Sequence, residues 1–569
     1  MKRARRWILP AANGATDTVQ FSDHVCGQVC IARLLQRKGL LNDEQATDFL
    51  QPRLRQLSDP FLLPNMQAAV DRIRRAIENK ERIVLYGDYD VDGVTSLALL
   101  NEMLRAYGAT PALFLPSRME EGYGLSAEGI ERCWQAHQPQ LLIAVDCGTG
   151  SCAEIAEIRV RGADVIVLDH HEPKGELPEC VAVVNPKAVD GCVYSYLCSV
   201  GIVFKLCHAL LKTRPLADFD LRQRLDLVAL GTVADIVPLE AENRILVHHG
   251  MREIARRRLL GLGALMKVAA VRPPIAAEHI GFRLGPRLNA AGRLTTAEKA
   301  LRLLLTSDPA EASALAAELD GQNRERQSVE HEIVQAVEKR IAEENLAQAP
   351  AIVLGDAAWH PGVLGIVASR IARSYHRPTV IVGFDGTGLG KGSGRSIPDV
   401  SLVAALGRCA EYLEKFGGHE MAAGLTIREE KFRQFSAALQ EVCRAMISAE
   451  HLEPVLHLDD ELTLRDLNWN FLRWHELLQP FGQSNPQPLF LLRGAELAAP
   501  PQILKEKHLV LRLRQHGRSQ RAIFFGGADE PLPEPPWDIA FRVNSDEYEG
   551  EIRLQMQVEA VRASIPVET

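Results

Sequence analysis

At 569 residues the chain is too long for one hydrophobic core, and about three or four domains are expected. Its 46% apolar and 24% charged residues exclude wholesale disorder, and no apolar run approaches the roughly 20 residues that span a bilayer. A net charge of −8 weighs only mildly against nucleic acid, because a binding groove needs a local basic stripe and a metal site concentrates carboxylates.

The first residues, MKRARRWILPAANG, are basic with too short an apolar part for a secretory signal, which predicts a cytoplasmic protein without a membrane anchor. The eleven cysteines are scattered, and Cys26 and Cys30 have the wrong spacing for a zinc knuckle or a redox pair. They read as free thiols of a reducing compartment. Residues 1–60 form an N-terminal extension with helical stretches at 29–37 and 43–49. Residues 61–275 then alternate: helix 68–79, strand 82–85, helix 95–107, strand 112–114, helix 127–135, strand 141–145, helix 153–161, strand 164–168. Such alternation specifies a mostly parallel sheet covered on both faces.

Four apolar segments of this region end in acidic or histidine residues. IVLY is followed by Asp88 and Asp90, LLIAV by Asp146, VIVL by Asp169, His170 and His171, and LDLVALGTVA by Asp235. All four are read as strands, and in open α/β sheets the ligand crevice lies at the carboxyl ends of the strands. Residues 276–346 hold a substrate segment and a connector helix at about 308–346. Residues 347–447 form a second α/β domain with glycine-rich turns at HPGVLG, GKGSGRS and GGHEMAAG. Residues 448–569 contain alternating strands at 508–514, 521–525, 539–544 and 552–558, which suggest a barrel of the OB type. The expected fold is therefore α/β: two α/β lobes joined by a long helix, plus a C-terminal OB-like β-barrel.

The carboxylates carry the chemistry. Asp88, Asp90 and Asp92 alternate in GDYDVDG, and Asp146, His170 and Asp235 join them if the segment ends converge. Clustered carboxylates repel and shift each other's pKa unless cations neutralise them. Hard oxygen donors suit Mg²⁺ or Mn²⁺, and an imidazole tilts the choice toward Mn²⁺. Five or six ligands hold two divalent metal ions with one bridging carboxylate, an arrangement that serves in-line phosphoryl displacement. Any one Asp after a strand is more often a helix N-cap. GDYDVDG alone resembles a calcium loop, but it follows a strand and lacks the later bidentate Glu. The conjunction of four motifs carries the metal reading.

GDYDVDGVTS, VDCGTG, LDHHE and GTVADIVPL resemble the four ordered motifs of the DHH phosphoesterase superfamily, named for Asp169-His170-His171. PSRMEEGYGL, VNP, GFRLGPRLNAAGRL, WHPGVLGIVASR, GSGRSI, KFGGHEMAAGL and PFGQSNPQPLF are similar to segments of its RecJ family, in order over roughly residues 82–490. The resemblance implies a metal-dependent exonuclease that hydrolyses single-stranded DNA from its 5′ end to 5′-mononucleotides, in repair and recombination. It implies Asp90, Asp92, Asp146, His170 and Asp235 as metal ligands, with Asp146 bridging. Many superfamily members place a histidine ligand at the position of Tyr86, and Asp88 is the expected substitute. His171 would face the scissile phosphate as a catalytic group beside Asp146, and Asp169 would orient the histidines.

Phosphate is gripped best by arginine. Arg118, Ser393 and Arg395 resemble the family's pocket for the 5′-terminal phosphate. Arg287, Asn289, Arg293, Asn323, Arg326 and Gln327 are candidates to follow the sugar–phosphate backbone, although charged helix residues usually face water. Arg370 and His419 have the same standing. Tyr123 is a candidate stacking platform or a core tyrosine. Single-strand selectivity would follow from a narrow channel between lobes. A helicase and a single-strand-binding protein are the partners implied beside single-stranded DNA, and a monomer is expected. Two alternatives remain: a DHH hydrolase of short oligonucleotides, cyclic dinucleotides or pyrophosphate, and a non-catalytic replication scaffold.

Overall fold

The structure is a computed structural model that describes residues 5–10, 21–22, 26–116, 124–294, 296–548 and 551–564. The chain divides into two compact units. The motif-bearing unit comprises Thr47–Glu325 with Leu478–Pro486, and the barrel-bearing unit comprises Met1–Ala46, Arg326–Leu477 and Gln487–Thr569. Among the described residues no helix is long and apolar enough to cross a membrane.

The motif-bearing unit is built on five parallel strands: β1 (Ile83–Gly87), β2 (Ala112–Phe114), β3 (Leu141–Val145), β4 (Asp164–Leu168) and β5 (Ala182–Val184). Their order is β2-β1-β3-β4-β5. The helices that matter here are α1 (Met66–Glu78), α2 (Val91–Ala106), α3 (Ala127–His137), α4 (Cys152–Val160), α5 (Ser199–Thr213), α6 (Leu225–Ala234), α7 (Ala241–Arg256) and α8 (Gly285–Leu294). The strands are apolar at nearly every position because both sheet faces are covered. Val84, Tyr86, Leu142, Ala144, Val165 and Val167 pack with Ile130 of α3 and Ile155 of α4. Ile83, Leu85, Leu141, Ile143, Ile166 and Leu168 face the other way, into a core with α1, α2, α5 and α6. The chain order reverses between β1 and β3, and the crevice beyond the strand ends at such a switch point is where doubly wound sheets bind ligands.

One expected strand is a helix. LDLVALGTVA forms α6, so Asp235 stands at a helix C-terminus. Leu225 through Thr232 are buried on all sides, which removes the polar stripe that marks an amphipathic helix. A continuous apolar run carries no period, and its ten residues suit a buried helix better than a strand. The loop 478–486 belongs to this unit because its carbonyls are held there: Arg244 of α7 donates to the Leu478 and Gln479 oxygens at 3.0 and 2.8 Å.

The connector is a single helix, α9 (Pro309–Glu343), of 35 residues, about 52 Å long at the α-helical rise. Its first part belongs to the motif-bearing unit and the remainder, from Arg326, to the other. The barrel-bearing unit holds a second five-stranded sheet: β6 (Ile352–Asp356), β7 (Thr379–Phe384), β8 (Leu389–Arg395), β9 (Leu413–Gly418) and β10 (Ala422–Arg428), in the order β9-β10-β8-β7-β6. Helices α10 (Leu364–Tyr375) and α11 (Glu429–Met446) pack on it.

The glycine-rich segment GKGSGRS, expected as a turn, is the central strand β8 of this sheet. Gly390, Gly392 and Gly394 share one face by the two-residue period. A Cβ on them would come within 2.6 Å of Phe384, 2.8 Å of Leu425 and 2.6 Å of Leu402. The glycines make room for a core, and Lys391, Ser393 and Arg395 line the opposite face. GGHEMAAG similarly lies across the β9–β10 hairpin.

The C-terminal strands β11 (Phe490–Leu504), β12 (His508–Gln515), β13 (Arg518–Phe524), β14 (Trp537–Tyr548) and β15 (Glu551–Ala563) close into a five-stranded barrel, because β11 pairs with both β12 and β14. Closure with the parallel β13–β15 pair gives the OB-like architecture expected. The N-terminal residues Arg6–Ile8 pair with Val455–His457 beside it.

Candidate metal centre

The motif residues meet at the switch point. Asp90 caps α2, accepting from the amides of Asp92 and Gly93 at 2.9 and 3.1 Å. That cap turns the chain sharply after β1 and aims Asp88, Asp90 and Asp92 into the crevice. Asp146 follows β3 in a left-handed backbone conformation, φ 62°, which aspartate tolerates better than most residues. His170 and His171 follow β4, and Asp235 enters from the end of α6.

Among the described residues three groups result, each with its ligand atoms within 4.8 Å of one another: Asp88, Asp90 and Asp146; Asp146, His170 and His171; and, sharing no residue with these, Asp92, Cys198 and Asp235. His170 Nε2 lies 3.5 Å from Asp146 Oδ1, 3.5 Å from Asp235 Oδ2 and 4.0 Å from Asp92 Oδ2. Asp146 belongs to two groups, as a bridging ligand must.

The electrostatics are those of a cation site. Burial and the neighbouring carboxylates push Asp92, Asp146 and Asp235 upward, and Lys187 is the base that opposes this at Asp235. Burial, then His171, pushes His170 down to about 3, so its ring is a neutral donor. Both of its nitrogens, and Asp235 Oδ2, are buried without a hydrogen-bond partner. Buried polar atoms are rarely left so. Hard oxygens with one neutral imidazole fit divalent cations of the Mn²⁺ and Mg²⁺ class.

The DHH triplet has a division of roles. Burial opposes ionisation of Asp169, but the His171 ring and the Thr149 amide hydrogen-bond to it and hold its carboxyl below the usual range. In return, although burial disfavours charge on His171, Asp169 raises its pKa. Asp169 Oδ1 also accepts the His170 and His171 amides at 2.8 and 3.2 Å. Tyr86 points away from the crevice into the opposite core, its hydroxyl donating to the Gly124 carbonyl at 3.3 Å.

Four supporting residues escaped the sequence reading. Ser199, in the first turn of α5, donates its amide to Asp92 Oδ2 at 2.7 Å and its hydroxyl to Asp146 Oδ1 at 2.8 Å. The Val200 amide takes Asp92 Oδ1 at 2.9 Å, so α5 presents its N-terminus to that carboxylate. Cys198 precedes it. Asn185 donates to Thr149 Oγ1 and the His171 carbonyl, both at 2.9 Å; the VNP segment was its only signal.

The expected substrate residues are dispersed. In the motif-bearing unit, Asn289 of α8 accepts from the Val91 amide at 3.2 Å. Gly292 abuts the Tyr89 carbonyl, which a Cβ would approach to 2.9 Å. The GPRLNAAGR segment thus braces the aspartate loop. Arg287 is engaged by Asp320 at 2.9 Å and by the Arg283 carbonyl at 2.7 Å. Arg293 lies in the last turn of α8, and Asn323 is buried on α9. In the barrel-bearing unit, Arg326 and Arg370 share Glu330, at 2.8 and 3.6 Å, while Gln327 and His419 are exposed. Arg395 donates to Ser393 Oγ at 3.1 Å, and both abut Gly365 in the first turn of α10. Arg118 and Tyr123 lie outside the described residues.

A carboxylate–histidine cluster of this composition, on a parallel sheet of this order, defines a phosphoesterase of the DHH class. The DHH family N-terminal domain matches residues 82–232, the DHHA1 domain 348–445 and the RecJ OB domain 458–560. The chain belongs to the RecJ family. It is 35% identical to a single-stranded-DNA-specific exonuclease RecJ of Dickeya dadantii over 93% of this chain and 95% of that one. It is 38% identical to the RecJ of Bacillus subtilis over 82% of this chain, spanning 59% of that protein's length. The crystal structure of RecJ with Mn²⁺ from Thermus thermophilus superposes with a TM-score of 0.84 at 32% identity, covering 99% of this chain and 80% of that one.

Proposed function

We propose that this protein hydrolyses single-stranded DNA from its 5′ end, releasing 5′-mononucleotides, at the carboxylate–histidine cluster. It is a single-stranded-DNA-specific exonuclease by family, and we assign it a role in repair and recombination. The observation that carries the site assignment is the convergence of the four motifs with both buried His170 nitrogens lacking hydrogen-bond partners. Asp90, Asp92, Asp146, His170 and Asp235, with Asp88 as a further ligand, would hold two divalent cations, Mn²⁺ or Mg²⁺. Such cations supply Lewis acidity and an activated water for in-line displacement at phosphorus.

The chain's own groups do the rest. The α5 amides fix the rotamer of Asp92, and the Ser199 hydroxyl fixes that of Asp146. Asp169 orients the His171 ring through Nδ1 and favours its protonated form, a donor for charge developing on the phosphate. Ser393 and Arg395 are assigned to the 5′-terminal phosphate. Gln327, Arg370, His419 and Arg293 are assigned to the strand, with Tyr123 stacking on a base. The free cysteines accord with a cytoplasmic location. We assign a helicase and a single-strand-binding protein as working partners of the monomer.

The test is hydrolysis of single strands bearing a 5′-phosphate or a 5′-hydroxyl, by the wild type and Arg395→Ala. The wild type should prefer the phosphate through KM, and the variant should lose that preference. Equal use of both ends of the strand by the wild type would remove the phosphate-pocket assignment.

A further inference from the structure

The third ligand group contains a donor of a different kind. Cys198 is the residue immediately before α5, in extended conformation. The two residues that follow bind both oxygens of Asp92 through their amides. Cys198 is thereby held at a fixed offset from that carboxylate, and its Sγ lies within 4.8 Å of ligand atoms of Asp92 and Asp235. The thiol is fully buried, with Thr232 Oγ1 at 3.5 Å. The Cys147 thiol, although next to Asp146 in the chain, goes to the Val145 carbonyl at 3.6 Å instead.

A second observation points to a ligand at the same place. The His170 side chain is only 9% exposed, its Nε2 makes no hydrogen bond, and that nitrogen stands 3.5 Å from Asp235 and from Asp146 and 4.0 Å from Asp92, between this group and its neighbour. Two carboxylates and a thiol form a three-donor set of the kind zinc accepts with its fourth position open. Sulfur favours thiophilic ions over Mg²⁺ and Mn²⁺, and mixed nitrogen, oxygen and sulfur sites bind Zn²⁺ more tightly than Mn²⁺.

We infer that the metal position shared by Asp92 and Asp235 takes a thiophilic divalent cation of the Zn²⁺ class through Cys198, in competition with Mn²⁺ and Mg²⁺. The inference rests on the metal-centre reading and adds to it a donor that the carboxylate motifs do not include. Binding forms a metal–sulfur bond and releases the thiol proton to solvent; no electron is transferred. Zn²⁺ so held displaces the working ion and arrests hydrolysis, which makes this centre sensitive to zinc through a single side chain.

The experiment is a titration of the protein, stripped of metal and reloaded with Mn²⁺, with Cd²⁺ as a spectroscopic substitute for Zn²⁺. The ultraviolet thiolate-to-cadmium band reports the sulfur bond, and electron paramagnetic resonance reports free and bound Mn²⁺ in the same samples. The wild type, measured against Cys198→Ser, should show a saturable difference band whose growth releases Mn²⁺. Cys198→Ser should still bind Mn²⁺ and should need about tenfold more Cd²⁺ or greater to release it, since even outer-shell losses cost that much. Cys198→Ala serves as a second variant should the serine protein fold poorly. Mn²⁺ binding with no difference band, or with equal Cd²⁺ sensitivity in wild type and variants, overturns the inference alone. A wild type that binds no Mn²⁺ overturns the metal-centre reading and the inference with it.

Discussion

Ser199 shows how much of the site rests on residues that carry no ligand. Its amide and hydroxyl connect α5 to two carboxylates that would otherwise be free to rotate. Removing the hydroxyl in Ser199→Ala should weaken Mn²⁺ binding about 10- to 100-fold, the range for partners that orient ligands, and calorimetry would measure it. An unchanged affinity would mean the cations position Asp146 without help. Nothing in the sequence marked Ser199, because a serine at a helix start reads as a cap. The candidate ligands stood out for the opposite reason: Asp88 and Asp146 directly follow apolar strands, with Asp90 and His170 one or two residues further from a strand end, and few other roles call for that repetition. Arg287 was singled out by its charge as a phosphate contact, and its guanidinium pairs with Asp320, a partner with no sequence signal.

Elements carry the next constraints. α8 approaches the aspartate loop closely at Gly292, where a Cβ would come within 2.9 Å of the Tyr89 carbonyl, a backbone atom that cannot step aside. Gly292→Ala should cost about 1–3 kcal/mol by overpacking, read by denaturant unfolding, and should lower Mn²⁺ affinity together with stability. A second case is His475, in the helix Trp469–Glu476, buried beside Phe471 and Phe490. Burial depresses its pKa to about 4. The unfolded chain therefore takes up this proton first, near its ordinary value of about 6.5. Its contribution is complete above that value and lost as the pH falls toward about 4, at no more than roughly 1.4 kcal/mol per pH unit. Between about pH 7 and pH 5 the Tm of the wild type should fall more than that of His475→Phe. Equal falls would place the acid sensitivity elsewhere. Element type was legible where hydrophobic periods were clear, as in β3 and β4. It failed at α6, whose all-round burial erases periodicity, and at β8, whose glycines serve packing and so imitate a turn.

At the scale of the whole molecule, the order of parts followed from alternating apolar runs, the glycine- and proline-free stretch after Gly321, and the late short strands. The excursion of residues 478–486 into the motif-bearing unit did not, because it depends on backbone carbonyls meeting Arg244, an encounter with no sequence pattern. The central claim is that one cluster, shared through Asp146, makes this chain a metal-dependent exonuclease on single-stranded DNA. The direct measurement is hydrolysis of a long 5′-labelled single strand by wild type and Asp146→Ala across a Mn²⁺ titration, with a chelated control. The account expects labelled mononucleotide from the wild type alone, dependent on Mn²⁺ and abolished by the chelator. Metal-independent hydrolysis, or an Asp146→Ala protein as active as the wild type, would contradict it.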